Sequence, residues 1–232
     1  MERTRVIIAL DFPNAQEALS LVDTIGEEGD FYKVGLELFT HEGPSVVEAL
    51  KEKGKSIFLD LKLYDIPNTV AGAVRSAVDL GVDLLTLHTV GGETMMAAAA
   101  EASAGSVSLL GVTVLTSMTA EEVGSIWDRP VESLQKEILR LGHQAKKTGL
   151  SGVVASPWEA KMLKTSLGKG FLVVTPGIRF AGQDTHDQAR VSTPLGAVKA
   201  GADYLVVGRS ITQSENPSNT LHQLNEDISR KA

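Results

Sequence analysis

Phe58-Leu59-Asp60-Leu61-Lys62-Leu63-Tyr64-Asp65-Ile66-Pro67-Asn68-Thr69 sets opposite charges into an otherwise greasy run. A β-strand turns successive side chains to opposite faces. Ile57, Leu59, Leu61 and Leu63 then make one aliphatic face, and Phe58, Asp60 and Lys62 make the other. The aliphatic face suits packing under helices, as in a parallel sheet covered on both sides. Asp60 and Lys62 then point away from the helices, near the C-terminal end of the strand, where parallel α/β folds place their ligand sites. A buried ion pair without chemistry is the plain alternative. Asp65 has an alternative of its own: ahead of Pro67, it can support the start of a helix.

Working outward, strand-like runs cover 5–12, 31–36, 56–63, 84–89, 109–115, 152–155, 171–175 and 204–207. Helical patterns fall at 14–26, 43–53, 68–80, 93–103, 131–148, 157–166, 192–200 and 217–230. The third is the clearest, with Val70, Ala73, Val74, Ala77 and Val78 in one stripe and Gly81 as its stop. Eight strand–helix units in 232 residues predict an α/β chain folded as a (β/α)8 TIM barrel, with 1–232 as one domain. An open doubly wound sheet is the competitor, weakened because no Gly-x-Gly-x-x-Gly follows the first strand. The longest irregular stretch, 180–190, has the length of a functional lid.

Charge recurs at the ends of two other strands. Asp11 follows Val6-Ile7-Ile8-Ala9-Leu10, and Lys33 lies in Phe31-Tyr32-Lys33-Val34-Gly35. Three strands bearing Asp11, Lys33, Asp60 and Lys62 predict a polar site at one mouth, where neighbouring opposite charges satisfy one another. Thr175-Pro176-Gly177-Ile178-Arg179 closes the seventh strand, and Val206-Val207-Gly208-Arg209-Ser210 closes the eighth. Loops after those strands bind phosphate in many barrels. Glycine admits backbone N–H groups close to an anion, and arginine adds a permanent charged fork. Two ordinary turns with surface arginines are the alternative.

Composition narrows the rest. The net charge of -7 argues against a general nucleic-acid binder. Without cysteine there is no disulfide and no thiolate metal site. His41, His143, His186 and His222 lack metal-ligand spacing, so no metal is expected. His88 ends the fourth strand and either lines the site or sits satisfied in the core. Trp127, Trp158, Met95 and Met96 read as packing residues. The apolar run at 6–10 is too short for a signal peptide, and no run reaches a membrane span. A soluble cytoplasmic protein is expected.

Asp60-Leu61-Lys62-Leu63-Tyr64-Asp65 followed by Ile66-Pro67-Asn68-Thr69 resembles the orotidine 5'-phosphate decarboxylase family, its bacterial branch in particular. Ala9-Leu10-Asp11, Lys33-Val34-Gly35, Val112-Thr113-Val114-Leu115-Thr116-Ser117, Thr175-Pro176-Gly177-Ile178-Arg179 and Val207-Gly208-Arg209 extend the resemblance across the chain in order. The resemblance implies cofactor-free conversion of orotidine monophosphate to uridine monophosphate in pyrimidine biosynthesis. It implies a catalytic array of Lys33, Asp60, Lys62 and Asp65, with Lys62 stabilising and protonating a C6 carbanion. It also implies Asp11 and Lys33 at the ribose, Thr116 and Ser117 near the base, and Arg179, Gln188, Gly208 and Arg209 at the phosphate. Finally it implies a homodimer in which Asp65 and Thr69 enter the neighbour's site. A magnesium-dependent sugar-phosphate lyase resembling 3-keto-L-gulonate 6-phosphate decarboxylase shares Asp-x-Lys-x-x-Asp and stays open, as does a non-catalytic phosphosugar-binding barrel.

Overall fold

The computed structural model describes residues 4–180 and 192–231. Eight parallel strands close into a barrel in sequence order, and the last pairs with the first. They are β1 (Arg5–Leu10), β2 (Phe31–Gly35), β3 (Ser56–Leu63), β4 (Leu84–His88), β5 (Ser108–Val112), β6 (Gly152–Val154), β7 (Leu172–Thr175) and β8 (Tyr204–Val207). Around them lie α1 (Ala15–Ile25), α2 (Leu36–Glu42), α3 (Ser45–Glu52), α4 (Pro67–Asp79), α5 (Gly92–Ser103), α6 (Ala120–Ile126) and α7 (Leu134–Lys147). The series ends with α8 (Pro157–Leu167), α9 (Pro194–Ala200), α10 (Arg209–Thr212) and α11 (Pro217–Lys231). Among the described residues, no helix is long and apolar enough to cross a membrane.

The alternation of side chains makes two cores. Ile7, Ala9, Phe31, Phe58, Leu84, Leu110, Val174 and Val206 fill the barrel. Ile8, Leu10, Tyr32, Val34, Ile57, Leu59, Leu85 and Leu87 face outward and pack with helix residues such as Val22, Leu50 and Val74. Full burial of one such side chain is worth roughly 1.5–3 kcal/mol. Toward the N-terminal end Phe31 meets Tyr204 edge-on at 5.7 Å, and Arg5 lies over the Phe31 ring at 5.0 Å. The inner apolar residues thus plug the lower barrel and leave the other mouth for polar groups.

Several boundaries differ from the sequence expectation, each for a local reason. The predicted 43–53 helix is α3 alone; Gly43, at φ 65, and Pro44 separate it from an unanticipated α2. The 131–148 helix starts at Leu134 because Ser133 accepts the Lys136 N–H. Ahead of it, α6 is held by a reciprocal capping box between Thr119 and Glu122. Strand β5 stops at Val112, its last rung against both β4 and β6. The chain beyond, expected as strand to 115, leaves the sheet to line the mouth. In α4, Val70, Ala71, Val74 and Ala77 are the buried positions, so Ala71 replaces Ala73 and Val78 on the innermost stripe.

Candidate active site

Phe58, Asp60 and Lys62 share the inner side of β3, as the alternation predicts. Phe58 belongs to the barrel core, while Leu61 and Leu63 pack against the outer one. The strand is not regular, however. Between the rungs Leu59–Leu85 and Leu63–Leu87, β3 advances four residues (59 to 63) while β4 advances two (85 to 87). Lys62 lies in this irregularity with φ 51, in the left-handed region. That conformation costs a non-glycine residue roughly 1–2 kcal/mol. Bulges near active sites commonly re-aim a side chain. Here Lys62 Nζ donates to both carboxylate oxygens of Asp60, at 3.0 and 2.9 Å.

Thr86, on the inner side of β4, bonds to both residues. Its hydroxyl accepts the Lys62 backbone N–H at 2.8 Å and donates to Asp60 Oδ1 at 2.9 Å. Thr86 is fully buried. Sequence reading passed over it. The available signal was one hydroxyl in Leu84-Leu85-Thr86-Leu87-His88, in phase with His88 on an otherwise aliphatic strand.

A second charge pair comes from β1 and β2. Lys33 shares a rung with Ala9 on one side and with Phe58 on the other. Its buried Nζ donates to Oδ1 of Asp11 at 2.7 Å, and Asp11 sits on the exposed lip just past β1. A Cβ at Gly35 would come within 2.9 Å of Lys33 Nζ, so glycine leaves room for this pair. Lys33 and Lys62 thus each have a carboxylate partner, which lowers the cost of sequestering charge.

The far side of the mouth is built by β7 and β8. Gly177 turns the chain at φ 75. Arg179 follows, its guanidinium donating to the Ile178 carbonyl at 2.9 Å. The Arg179 N–H donates to the Ser192 carbonyl at 3.1 Å, joining the two flanks of the 180–191 stretch. Gly208 caps α10, and Arg209 is the first residue of that short helix. Arg179, Gly208 and Arg209 line the same 280 Å³ cavity as Asp11, Lys33, Asp60, Lys62, Thr116 and Ser117. Val112, Val114, Val154 and Pro176 supply its apolar wall. Such a cavity can hold an anion at the arginines, a flat ring against the apolar wall, and a reacting atom beside an ammonium. A larger cavity of 630 Å³ lies near the N-terminal ends of β1 and β2. Barrels of this architecture carry their chemistry at the opposite, C-terminal mouth, and the cavity at the bottom pairs Arg5 with Asp30 at 2.7 Å. The smaller cavity is therefore the candidate site.

Two expected site residues stand apart. Asp65 and Thr69 are exposed and do not line this chain's cavity. The Asp65 carboxylate accepts the adjacent Ile66 N–H at 2.6 Å, while the N-cap of α4 has no side-chain cap. Gln188, His186 and all but the first residue of the 180–190 stretch expected as a lid lie outside the described residues. His88 is half-buried and meets Tyr64 edge-on at 5.9 Å. Burial first, and the Lys62 charge second, hold its pKa below the usual histidine value, against an opposing pull from Asp60. Met95 and Met96 are buried and Trp127 packs on the outer core, as expected. Trp158 departs from its expected packing role: it is 60% exposed, because α8 turns Ala160 and Leu163 inward instead.

Fold and site together define a (β/α)8-barrel enzyme with an Asp-x-Lys-x-x-Asp third strand. The model of the "Orotidine 5'-phosphate decarboxylase / HUMPS family" matches residues 4–224. Orotidine 5'-phosphate decarboxylase of Aliivibrio fischeri is 48% identical over 229 residues, covering 97% of this chain and 97% of the relative. Its counterpart from Vibrio parahaemolyticus is 46% identical over 231 residues, covering 98% of each. The crystal structure of orotidine 5'-phosphate decarboxylase from Lactobacillus acidophilus superposes with a TM-score of 0.87 at 33% identity, covering 97% of this chain and 99% of that one. The chain belongs to the orotidine 5'-phosphate decarboxylase / HUMPS family, and it is an enzyme of the carboxy-lyase class.

Proposed function

We propose that this chain, acting as one barrel domain, decarboxylates orotidine 5'-phosphate to uridine 5'-phosphate without a cofactor. The observation that supports this most directly is Lys62 Nζ held against both oxygens of Asp60, in a cavity that also receives Arg179 and Arg209. Losing CO₂ from C6 of the pyrimidine leaves a carbanion there. The Lys62 ammonium stabilises that developing charge and then donates its proton to C6. Preorganised charge of this kind is commonly the largest catalytic contribution.

Asp60 adds a smaller effect. Beside the substrate carboxylate, two like charges about 4 Å apart repel by about 4 kcal/mol at an effective dielectric near 20. Departure of CO₂ relieves that repulsion. Enzymes lower barriers by roughly 8–23 kcal/mol, so transition-state stabilisation by the whole site, Lys62 included, must supply most of the acceleration. Lys33 and Asp11 hold the ribose, Thr116 and Ser117 approach the base, and Arg179, Gly208 and Arg209 take the phosphate, with Gln188 from the adjoining stretch. Binding energy from the remote phosphate then assists assembly of the reacting end.

The same reading includes a homodimer with shared sites. Tyr64 is 64% exposed, Ile66 67% and Leu36 55%, all just beyond the C-terminal ends of β2 and β3. Exposed apolar side chains grouped in this way mark association surfaces. Asp65 and Thr69 lie among them, on the outside of their own cavity. A second copy seated there receives them.

The deciding experiment follows loss of orotidine monophosphate absorbance with and without chelator. Turnover should be the same in EDTA and in added magnesium. Activity abolished by EDTA and restored by magnesium would assign the chain to the metal-dependent sugar-phosphate branch instead. Arg209→Ala tests the phosphate end. A charge-assisted hydrogen bond contributes about 1.5–3 kcal/mol, so UMP affinity should fall roughly 10- to 100-fold. Some loss of kcat should accompany it. Calorimetric titration giving wild-type affinity removes Arg209 from the phosphate site.

A further inference from the structure

We infer that Thr86 is a positioning residue for the Lys62–Asp60 pair, acting through one hydroxyl that holds both the backbone of the lysine and the carboxylate of the aspartate. The inference rests on the decarboxylase reading of the same cavity. Its starting point is an accounting problem. Between Leu59 and Leu63 the β3–β4 ladder slips, and Lys62 adopts φ 51. A backbone N–H at such a slip loses its regular partner, and a buried one needs another. Thr86 Oγ1 meets that need at 2.8 Å.

The same oxygen has one proton to give, and it gives it to Asp60 Oδ1 at 2.9 Å. A hydroxyl can accept and donate at once, which neither an aliphatic side chain nor an acceptor-only group can do. Asp60 is thereby held from two sides: Thr86 on Oδ1, and Lys62 Nζ on both oxygens. The lysine is held at both ends as well, its N–H by Thr86 and its ammonium by Asp60. Thr86 is fully buried on a strand whose neighbours Leu85 and Leu87 face the outer core. No packing requirement calls for a hydroxyl at that position, and the two polar bonds do.

Thr86 is not among the residues lining the cavity. Its effect therefore falls on the geometry of the reacting groups rather than on ligand contact. Displacement of a reacting group by a fraction of an ångström is costly when the rate depends on preorganised charge.

Thr86→Val and Thr86→Ser test this. Valine keeps the volume and bars a water from replacing the hydroxyl, so the Lys62 N–H and Asp60 Oδ1 both lose their bond. Active sites are counted in each variant by calorimetric UMP titration, so that partial misfolding does not enter the rate. Per UMP-binding site, Thr86→Val should lose about 10- to 100-fold in kcat with KM within about threefold of wild type. Thr86→Ser should recover kcat to within about threefold, since it restores the donor and acceptor. Hydrogen exchange of the Lys62 amide, followed by NMR, should quicken in Thr86→Val and return in Thr86→Ser. Equal kcat in wild type and Thr86→Val, or equal losses in Val and Ser, overturns the inference while leaving the decarboxylase reading intact. A wild-type chain inert toward orotidine monophosphate overturns that reading and the catalytic part of this one; unchanged Lys62 exchange in Thr86→Val separately overturns the bridge.

Discussion

Lys62→Ala should lower kcat by about 10⁵-fold while the protein stays folded and binds UMP. The size follows from two roles lost together. Removing one preorganised donor to a developing charge costs about 10²–10³-fold, and removing a positioned general acid about 10²–10⁴-fold. No other cation bonds to Asp60 among the described residues: Lys33 is committed to Asp11. Folding should suffer less. The left-handed backbone at residue 62 is a cost that lysine and alanine share, so it largely cancels in the comparison. Asp60, partly accessible to solvent, keeps its bond from Thr86. Single-turnover kinetics and UMP calorimetry on the same preparation check the separation. Turnover within tenfold of wild type in a variant that binds UMP removes Lys62 from the chemistry, since that loss is only about 1.4 kcal/mol.

What made this site legible was charge placed against a period of two. Asp60 and Lys62 stand out because every neighbour on the opposite face is aliphatic, and that contrast survives without any knowledge of the barrel. The eight strands were legible for the same reason, because both faces of a parallel sheet are buried and the runs are nearly continuous. Helices α2 and α6 were not. Seven residues each is too short for a convincing 3.6-residue stripe. Their punctuation, Gly43-Pro44 for one and Thr119-x-x-Glu122 for the other, was nevertheless present in the sequence. The bulge at Lys62 was illegible for a deeper reason. A register slip depends on the partner strand, and an L-residue driven to positive φ leaves no compositional mark when it is not glycine. Thr86 was missed with it, because its importance exists only relative to that slip.

Asp65 shows where a single chain stops being informative, and mixing two variants should resolve it. Lys62→Ala and Asp65→Ala homodimers are each expected to be nearly inactive. Mixed under conditions that exchange subunits, they should recover activity toward about a quarter of wild type. The arithmetic needs only a two-fold dimer with shared sites: about half the dimers are hybrids after random exchange, and one of the two sites in each hybrid is intact. That site takes Lys62 from one chain and Asp65 from the other. The partner site receives both defects. The motivation is geometric. Asp65 is exposed, bonds to the adjacent Ile66 N–H, and lies outside the cavity of its own barrel. Flanking it, Tyr64 and Ile66 are largely exposed, and grouped exposed apolar side chains mark association surfaces. If Asp65 serves its own barrel, every site in every dimer keeps one defect and mixing restores nothing. Native mass spectrometry verifies that hybrids formed. Full exchange without recovered activity therefore confines Asp65 to its own chain, as a support for the start of α4 or a catalytic group of that chain's own site.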